Sequence, residues 1–327
     1  MSERPRIGVA LSGGGVRGLA HLGVLEVLDE AHVPVDFIAG TSMGGIVAGL
    51  YAAGVPLQKT IEFAEHMGLL DIASPGPGLR GLFGHAKIAQ LLAELLGGEG
   101  ATFADLRIPT AVLAADLETG ELVVLNQGPL IPALLATSAF PVMLSPVYHQ
   151  HRWLVDGGVL NNFPVDLVRQ MGADRVLGVD TPPSVHLNIK AAEEKVEERT
   201  GRFHLSPRAL FSSFTPHTPD WKLPILIAET AVGFTANLVN ETRLSLNPPD
   251  VLLTVNLPNV GTFSTGKNVE TIAAGRRVAR EALPELLRMR DKPLPSAKQR
   301  RWRGFVRRLR RAWQAYRSPD YTLYPPA

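Results

Sequence analysis

The chain has 327 residues, 45% of them apolar and 20% charged, with 33 Lys and Arg against 31 Asp and Glu for a formal net charge of +2. That is ordinary globular usage and excludes a disordered or collagen-like chain; the absence of cysteine excludes disulfide scaffolds, Cys-ligated zinc, iron–sulfur clusters and cysteine nucleophiles. The near-zero charge is a cancellation, because residues 291–327 hold ten basic and two acidic side chains, net +8, which leaves −6 on the remainder.

Ile7–Leu11 is a short apolar run ended by three glycines and reads as a buried strand, too short for the core of a signal peptide. Residues 18–31 carry apolar side chains at helical spacing. Val35–Ala39 is a second strand candidate, followed by a small-residue helix near 43–53. The uncharged stretch Phe37–Gln58 is long enough to span a bilayer, but its many glycines favour strand, turn and buried helix. Helices are expected over 56–66 and 85–96. Thr110–Ala115 and Leu122–Leu125 are β-prone runs joined through Glu118-Thr119-Gly120, a hairpin signal. A short helix near 129–137 precedes a strand at Trp153–Val155, a helix at Pro164–Met171 and a strand at Arg175–Val179. Val251–Val255 reads as a late strand and 268–290 as one long helix; residues 184–220 have no clean period and are expected to be partly helical and mobile. Strands alternating with helices predict a three-layer α/β/α domain on a mostly parallel sheet. Residues 1–290 would form it, with 184–245 its least regular and lid-like part, and 291–327 a basic amphipathic tail.

Three clusters carry chemistry. Gly13-Gly14-Gly15-Val16-Arg17-Gly18 follows a strand and opens a helix, so its backbone N–H groups face a helix N-terminus and attract negative charge. That charge could be a pyrophosphate or the oxyanion of acyl transfer, and the bland alternative is a tight strand–helix turn. A dinucleotide site asks for an acid at the end of the second strand, whereas Asp36 stands at its start. Gly40-Thr41-Ser42-Met43-Gly44 matches G-x-S-x-G, in which small neighbours let a sharp turn close around an exposed serine. Asp156-Gly157-Gly158 puts an acid at a strand's carboxyl end, beside glycines that admit another loop. Taken alone, Ser42 could be a helix cap and Asp156 a turn residue. No histidine falls in a motif; His149 and His151 alternate along a strand and read as two surface side chains.

In this order the three clusters resemble the patatin-like phospholipase family, in its bacterial branch related to neuropathy target esterase. Ala136-Thr137-Ser138-Ala139-Phe140-Pro141, the extended block Val155–Pro164 and the hairpin Asp116–Asn126 resemble it too. The likeness covers about 1–180 well and 245–290 weakly. It implies a serine acyl hydrolase of fatty acyl esters in lipids, with Ser42 as nucleophile and Asp156 as base. Backbone N–H groups of Gly14 and Gly15, helped by Val16, would form the oxyanion hole within the loop from Gly13 to Gly18. Arg17 would hold that loop or add positive potential. No metal or cofactor is implied. A regulatory protein on the same fold and a nucleotide-binding protein remain the alternatives.

The segment 298–317 places Trp302, Phe305, Val306, Leu309, Trp313 and Tyr316 within about 100° of a helical wheel, with most arginines on the other faces. That is the composition of an interfacial helix, and Trp302, Phe305, Arg307, Arg308, Leu309 and Trp313 are the candidate membrane contacts. The alternative is a helix docked on its own domain. A lipid substrate and an anionic membrane are the expected partners, without nucleic acid, and the expected location is cytoplasmic, at the inner face of the membrane.

Overall fold

The structure, a computed structural model, describes residues 4–66, 74–75, 83–182, 222–262, 264 and 266–293. Its strands are β1 (Ile7–Leu11), β2 (Phe37–Thr41), β3 (Ser74–Pro75), β4 (Phe83–Gly84), β5 (Thr110–Asp116), β6 (Leu122–Leu125), β7 (Val147–His149), β8 (Arg152–Asp156), β9 (Arg175–Asp180) and β10 (Val251–Thr254). The helices are α1 (Ala20–Glu30), α2 (Met43–Ala52), α3 (Leu57–His66), α4 (Ala86–Leu96), α5 (Leu130–Thr137), α6 (Val165–Gln170), α7 (Lys222–Leu246), α8 (Asn268–Glu281) and α9 (Leu283–Asp291). The main sheet runs β10-β9-β1-β2-β5-β8-β7, with β6 also on β5. From β10 to β5 the pairing is parallel; β6, β8 and β7 are antiparallel.

Helices cover both faces, which is why every residue of β1 is buried. Ile7, Val9 and Leu11 pack on one face with α1 and α8. Ala10, Ala39 and Ala111 form the opposite face, where their small side chains admit Val165 and Val168 of α6 together with Phe163. A third cluster joins Val112, Ala114 and Leu154 of the sheet to α4 and α5.

One detail of pairing positions the site. Val112 and Leu113 of β5 pair with both β2 and β6, so those two strands lie on opposite edges of β5. Ala114 and Ala115 pair with both β6 and β8, so β8 is also opposite β6. Strands β2 and β8 therefore share one edge of β5 and run toward each other. Thr41 pairs with Leu113 and Asp156 with Ala114, so their carboxyl ends meet.

The structure changes several expectations. β2 starts two residues later than the apolar run suggests, because the Asp36 carboxylate is occupied with the backbone N–H of Ile7 at 2.7 Å and with Arg4. That role at the sheet's amino edge, far from the glycine loop, removes Asp36 as a ribose ligand. The single helix expected over 268–290 is two, broken at Ala282, where Pro284 in the first turn of α9 cannot donate. His149 is buried rather than on the surface, whereas His151 is exposed in a turn at φ 63°. Helix α7 was not legible as a helix. Residues 184–221 and the whole segment 298–317, with Trp302, Phe305, Arg307, Arg308, Leu309 and Trp313, lie outside the described residues. Among the described residues no helix is long and apolar enough to cross a membrane.

Candidate active site

Ser42 follows the last residue of β2 and caps α2, with φ 55° and ψ −128°. A side chain at that positive φ is strained and needs support from outside. The supports are specific. A Cβ on Gly40 would strike the Gly44 carbonyl, and one on Gly44 the Leu11 and Ser12 carbonyls, so the elbow closes only around glycine. The Ser42 N–H donates to Thr137 Oγ1 at 3.1 Å, and that hydroxyl donates to the Leu113 carbonyl at 2.5 Å. Thr137 thus sits at the junction where β2 and β8 meet on β5. The Thr41 hydroxyl donates to the Asn161 carbonyl at 3.0 Å. Met43 opens α2 and lies against Gly18.

Asp156 ends β8 and is 2% exposed. Its Oδ1 accepts the Gly158 N–H at 2.7 Å, and Asp156 and Ser42 line the same small void. Its own N–H donates to the Ala139 carbonyl at 3.0 Å. Gly157 presses on the Leu113 carbonyl, where no side chain fits. Burial pushes the carboxyl pKa up to about 6; the hydrogen bonds from Ser42 and Gly158 pull the other way and do not outweigh it.

The glycine loop is held from two sides. Gly13 N–H donates to the Asn162 carbonyl at 3.0 Å, and Asn162 Nδ2 returns a bond to the Gly13 carbonyl at 3.2 Å. On the other side the Val16 N–H donates to the Thr262 carbonyl at 2.9 Å. The Val16 amide is therefore committed, which corrects its expected part in an oxyanion hole; the Gly13 amide is committed as well, and the Arg17 N–H turns back to the Gly14 carbonyl. The amides of Gly14 and Gly15 have no partner among the described residues. Gly15 has φ 55° and lies directly on the Thr262 backbone, so glycine is required there twice over. Arg17 is 3% exposed, and its guanidinium donates to the Val260 carbonyl at 3.1 Å and to Thr262 Oγ1 at 2.9 Å. Behind the loop, fully buried His21 lies 2.7 Å from the Ser12 carbonyl through Nε2, and burial lowers its pKa to about 4.

Two voids meet at Ser42. The larger, about 170 Å³, is walled by Met43, Ile46, Val47 and Leu50 of α2 and by apolar residues of α1, α3 and α4. The smaller, about 60 Å³, holds Asp156, Arg17 and Asn162, and Val232, Gly233 and Ala236 of α7 border it. Ser42, Gly15, Phe140 and Thr262 line both.

The structure thus brings Ser42, Asp156, Gly14 and Gly15 together. Sequence reasoning gave no role to Thr137, Asn161, Asn162 or Thr262, although Thr137 and the two asparagines lie in stretches that carry the family resemblance.

Residues 9–169 match the model of the family described as patatin-like phospholipase. An uncharacterized NTE family protein of Mycobacterium tuberculosis is 33% identical over 214 residues, 64% of this chain and 59% of that protein. Human patatin-like phospholipase domain-containing protein 6 is 31% identical over 185 residues, 53% of this chain and 13% of that protein. Lysophospholipase nte1 of Aspergillus fumigatus is 25% identical over 304 residues, 88% of this chain and 19% of that protein. The chain thus spans less than two thirds of the length of these relatives. Among solved structures, VipD from Legionella pneumophila matches over 88% of this chain and 67% of its own at 15% identity and TM-score 0.47. The strand–serine elbow, the glycine loop and the family match together identify residues 9–169 as a patatin-like phospholipase domain, similar in sequence to the NTE proteins.

Proposed function

We propose that the chain hydrolyses fatty acyl esters of lipids through a Ser42–Asp156 dyad. The observation that carries this reading is the buried Asp156 carboxylate facing Ser42 in one small void, beside the Gly14 and Gly15 amides that have no partner among the described residues. Asp156 takes the hydroxyl proton as Ser42 Oγ attacks the ester carbonyl carbon. The carbonyl oxygen becomes an oxyanion and meets the Gly14 and Gly15 N–H groups; each such donor contributes about 3 kcal/mol in a dry site. The intermediate collapses, Asp156 returns the proton to the departing alkoxide, and the acyl group remains on Ser42. Water then attacks the acyl-enzyme with Asp156 again as base, releasing the fatty acid and restoring the serine. Asp156 lines only the smaller void, so the alcohol that needs its proton leaves on that side and the acyl chain occupies the larger, apolar one.

The basic segment 298–317 would hold the enzyme on an anionic membrane at the cytoplasmic face; its aromatic stripe and arginines support that reading. The test of the chemistry compares wild type with Ser42→Ala and Asp156→Ala on lysophospholipid and soluble esters. Losses of about 10³ or more in kcat/KM are expected from each. A near-wild-type rate in either variant removes the dyad. A fluorophosphonate probe that labels wild type and spares Ser42→Ala identifies the nucleophile.

A further inference from the structure

The larger void has a direction. Met43, Ile46, Val47 and Leu50 stand at i, i+3, i+4 and i+7 on α2, which is one face of a helix, so the void follows α2 away from Ser42. Leu50 lies eight residues beyond Ser42, which at about 1.5 Å per residue is about 12 Å along the axis. Leu50, Leu92 and Leu95, the last two on α4, line the void and belong to one buried cluster, each of the three 8% exposed or less. The lining is mostly apolar as well, with Leu22 from α1, Phe63 from α3 and Ile88 from α4, and Thr60 and Asn268 among its few polar residues.

Length and volume bound what fits. An alkyl zigzag built of bonds of about 1.52 Å advances about 1.25 Å per carbon, so about 12 Å takes about nine or ten carbons. The volume of about 170 Å³ is close to that of apolar cavities of about 150 Å³ that hold a six-carbon molecule the size of benzene. We propose that this void is an acyl-chain ruler set for medium chains of about six to ten carbons, with Leu50, Leu92 and Leu95 as its end wall. The proposal rests on Ser42 being the acyl acceptor. It adds which chain length the enzyme prefers and which residues decide it.

Ile46 lies one turn from Ser42, is half-buried and faces the void, so a larger side chain there fills the channel near its start. Leu92 lines the void and shares a buried cluster with Leu50, so in the proposed ruler a smaller side chain there lengthens the channel. The experiment measures kcat/KM of the full chain on p-nitrophenyl acetate, butyrate, octanoate and palmitate for wild type, Leu92→Ala and Ile46→Trp. Ratios between esters are read within each protein, so a general loss of rate or of folded fraction cancels. Wild type should gain up to about fourfold per methylene to a maximum near octanoate and fall at least about tenfold at palmitate. Leu92→Ala should move the palmitate-to-octanoate ratio up by about fivefold or more, and Ile46→Trp should lower octanoate-to-acetate by about tenfold or more. A wild-type preference that climbs through palmitate, or ratios that stay at wild-type values in both variants, overturns the ruler while leaving the esterase reading intact. Loss of the esterase reading itself shows differently, as no ester cleaved and no fluorophosphonate labelling of Ser42. Calorimetry of octanoate on Ser42→Ala then decides the cavity on its own: saturable binding that Ile46→Trp abolishes supports the ruler, and no binding overturns it.

Discussion

Replacing Asp156 with asparagine should remove activity and at the same time stabilise the protein, by an amount that grows with pH. The carboxyl is 2% exposed and its pKa stands at about 6 instead of 3.8, chiefly because burial penalises the charged form. Between those two values the folded chain holds this proton more tightly than the unfolded chain does. Stability is therefore greatest below pH 3.8 and falls as pH rises through 6. A move from 3.8 to about 6, at about 1.36 kcal/mol per pH unit, comes to about 3 kcal/mol once the carboxylate is fully ionised. About 1 kcal/mol of it is already present at pH 4.5, so about 2 kcal/mol of change falls in an accessible range. Asparagine does not titrate, and whatever constant difference the amide introduces does not vary with pH. Urea unfolding of wild type and Asp156→Asn at intervals from pH 4.5 to 8 should show a stability gap that moves in the variant's favour by about 2 kcal/mol. Over the same range wild-type kcat/KM should rise through about pH 6 to a plateau, because only the ionised carboxylate can accept the serine proton. A stability gap that stays constant from pH 4.5 to 8 would refute the reasoning, since it would mean that Asp156 titrates alike in both states.

Other outcomes follow from the supports of the site. Thr137→Val keeps the shape but leaves the Ser42 N–H and Leu113 carbonyl without their partner, so it should cost about 2–4 kcal/mol in denaturant unfolding and lower kcat more than it raises KM. Gly15→Ala puts a methyl group against the Thr262 backbone at φ 55° and should reduce kcat by about 10² or more, read in the same ester assay. Arg17→Met leaves the Val260 carbonyl and the Thr262 hydroxyl without their buried donor and should lower stability by about 2–4 kcal/mol. Removing residues 296–327 should abolish sedimentation with anionic vesicles, since each basic side chain near such a surface is worth about 1 kcal/mol; unchanged sedimentation would sink the membrane role of the tail.

The proposed catalytic groups are legible in sequence because each requires unusual local backbone. Ser42 needs small neighbours to hold φ 55°, Gly15 needs a positive φ, and Asp156 needs glycines behind it, so all three announce themselves as glycine patterns. The alternating strands and helices were legible for the same reason of local spacing, including the hairpin of β5 and β6. The break at Ala282 is hidden in sequence because the apolar period continues past Pro284, and β2 starts two residues later than its apolar run because its register is held by Asp36 and the N–H of Ile7, a residue 29 positions away.

The supports were not legible, because they are hydrogen bonds between residues distant in the chain: Ser42 to Thr137, Thr41 to Asn161, Gly13 to Asn162 and Val16 to Thr262. No local pattern records such a partner. By itself the sequence determined which side chains could do acyl-transfer chemistry and the turns that present them. Tertiary structure alone decided that Ser42 and Asp156 meet, because β2 and β8 end head to head on one edge of β5. It also decided that Gly14 and Gly15, not Val16, have amides without a partner among the described residues, because the Thr262 carbonyl takes the Val16 amide.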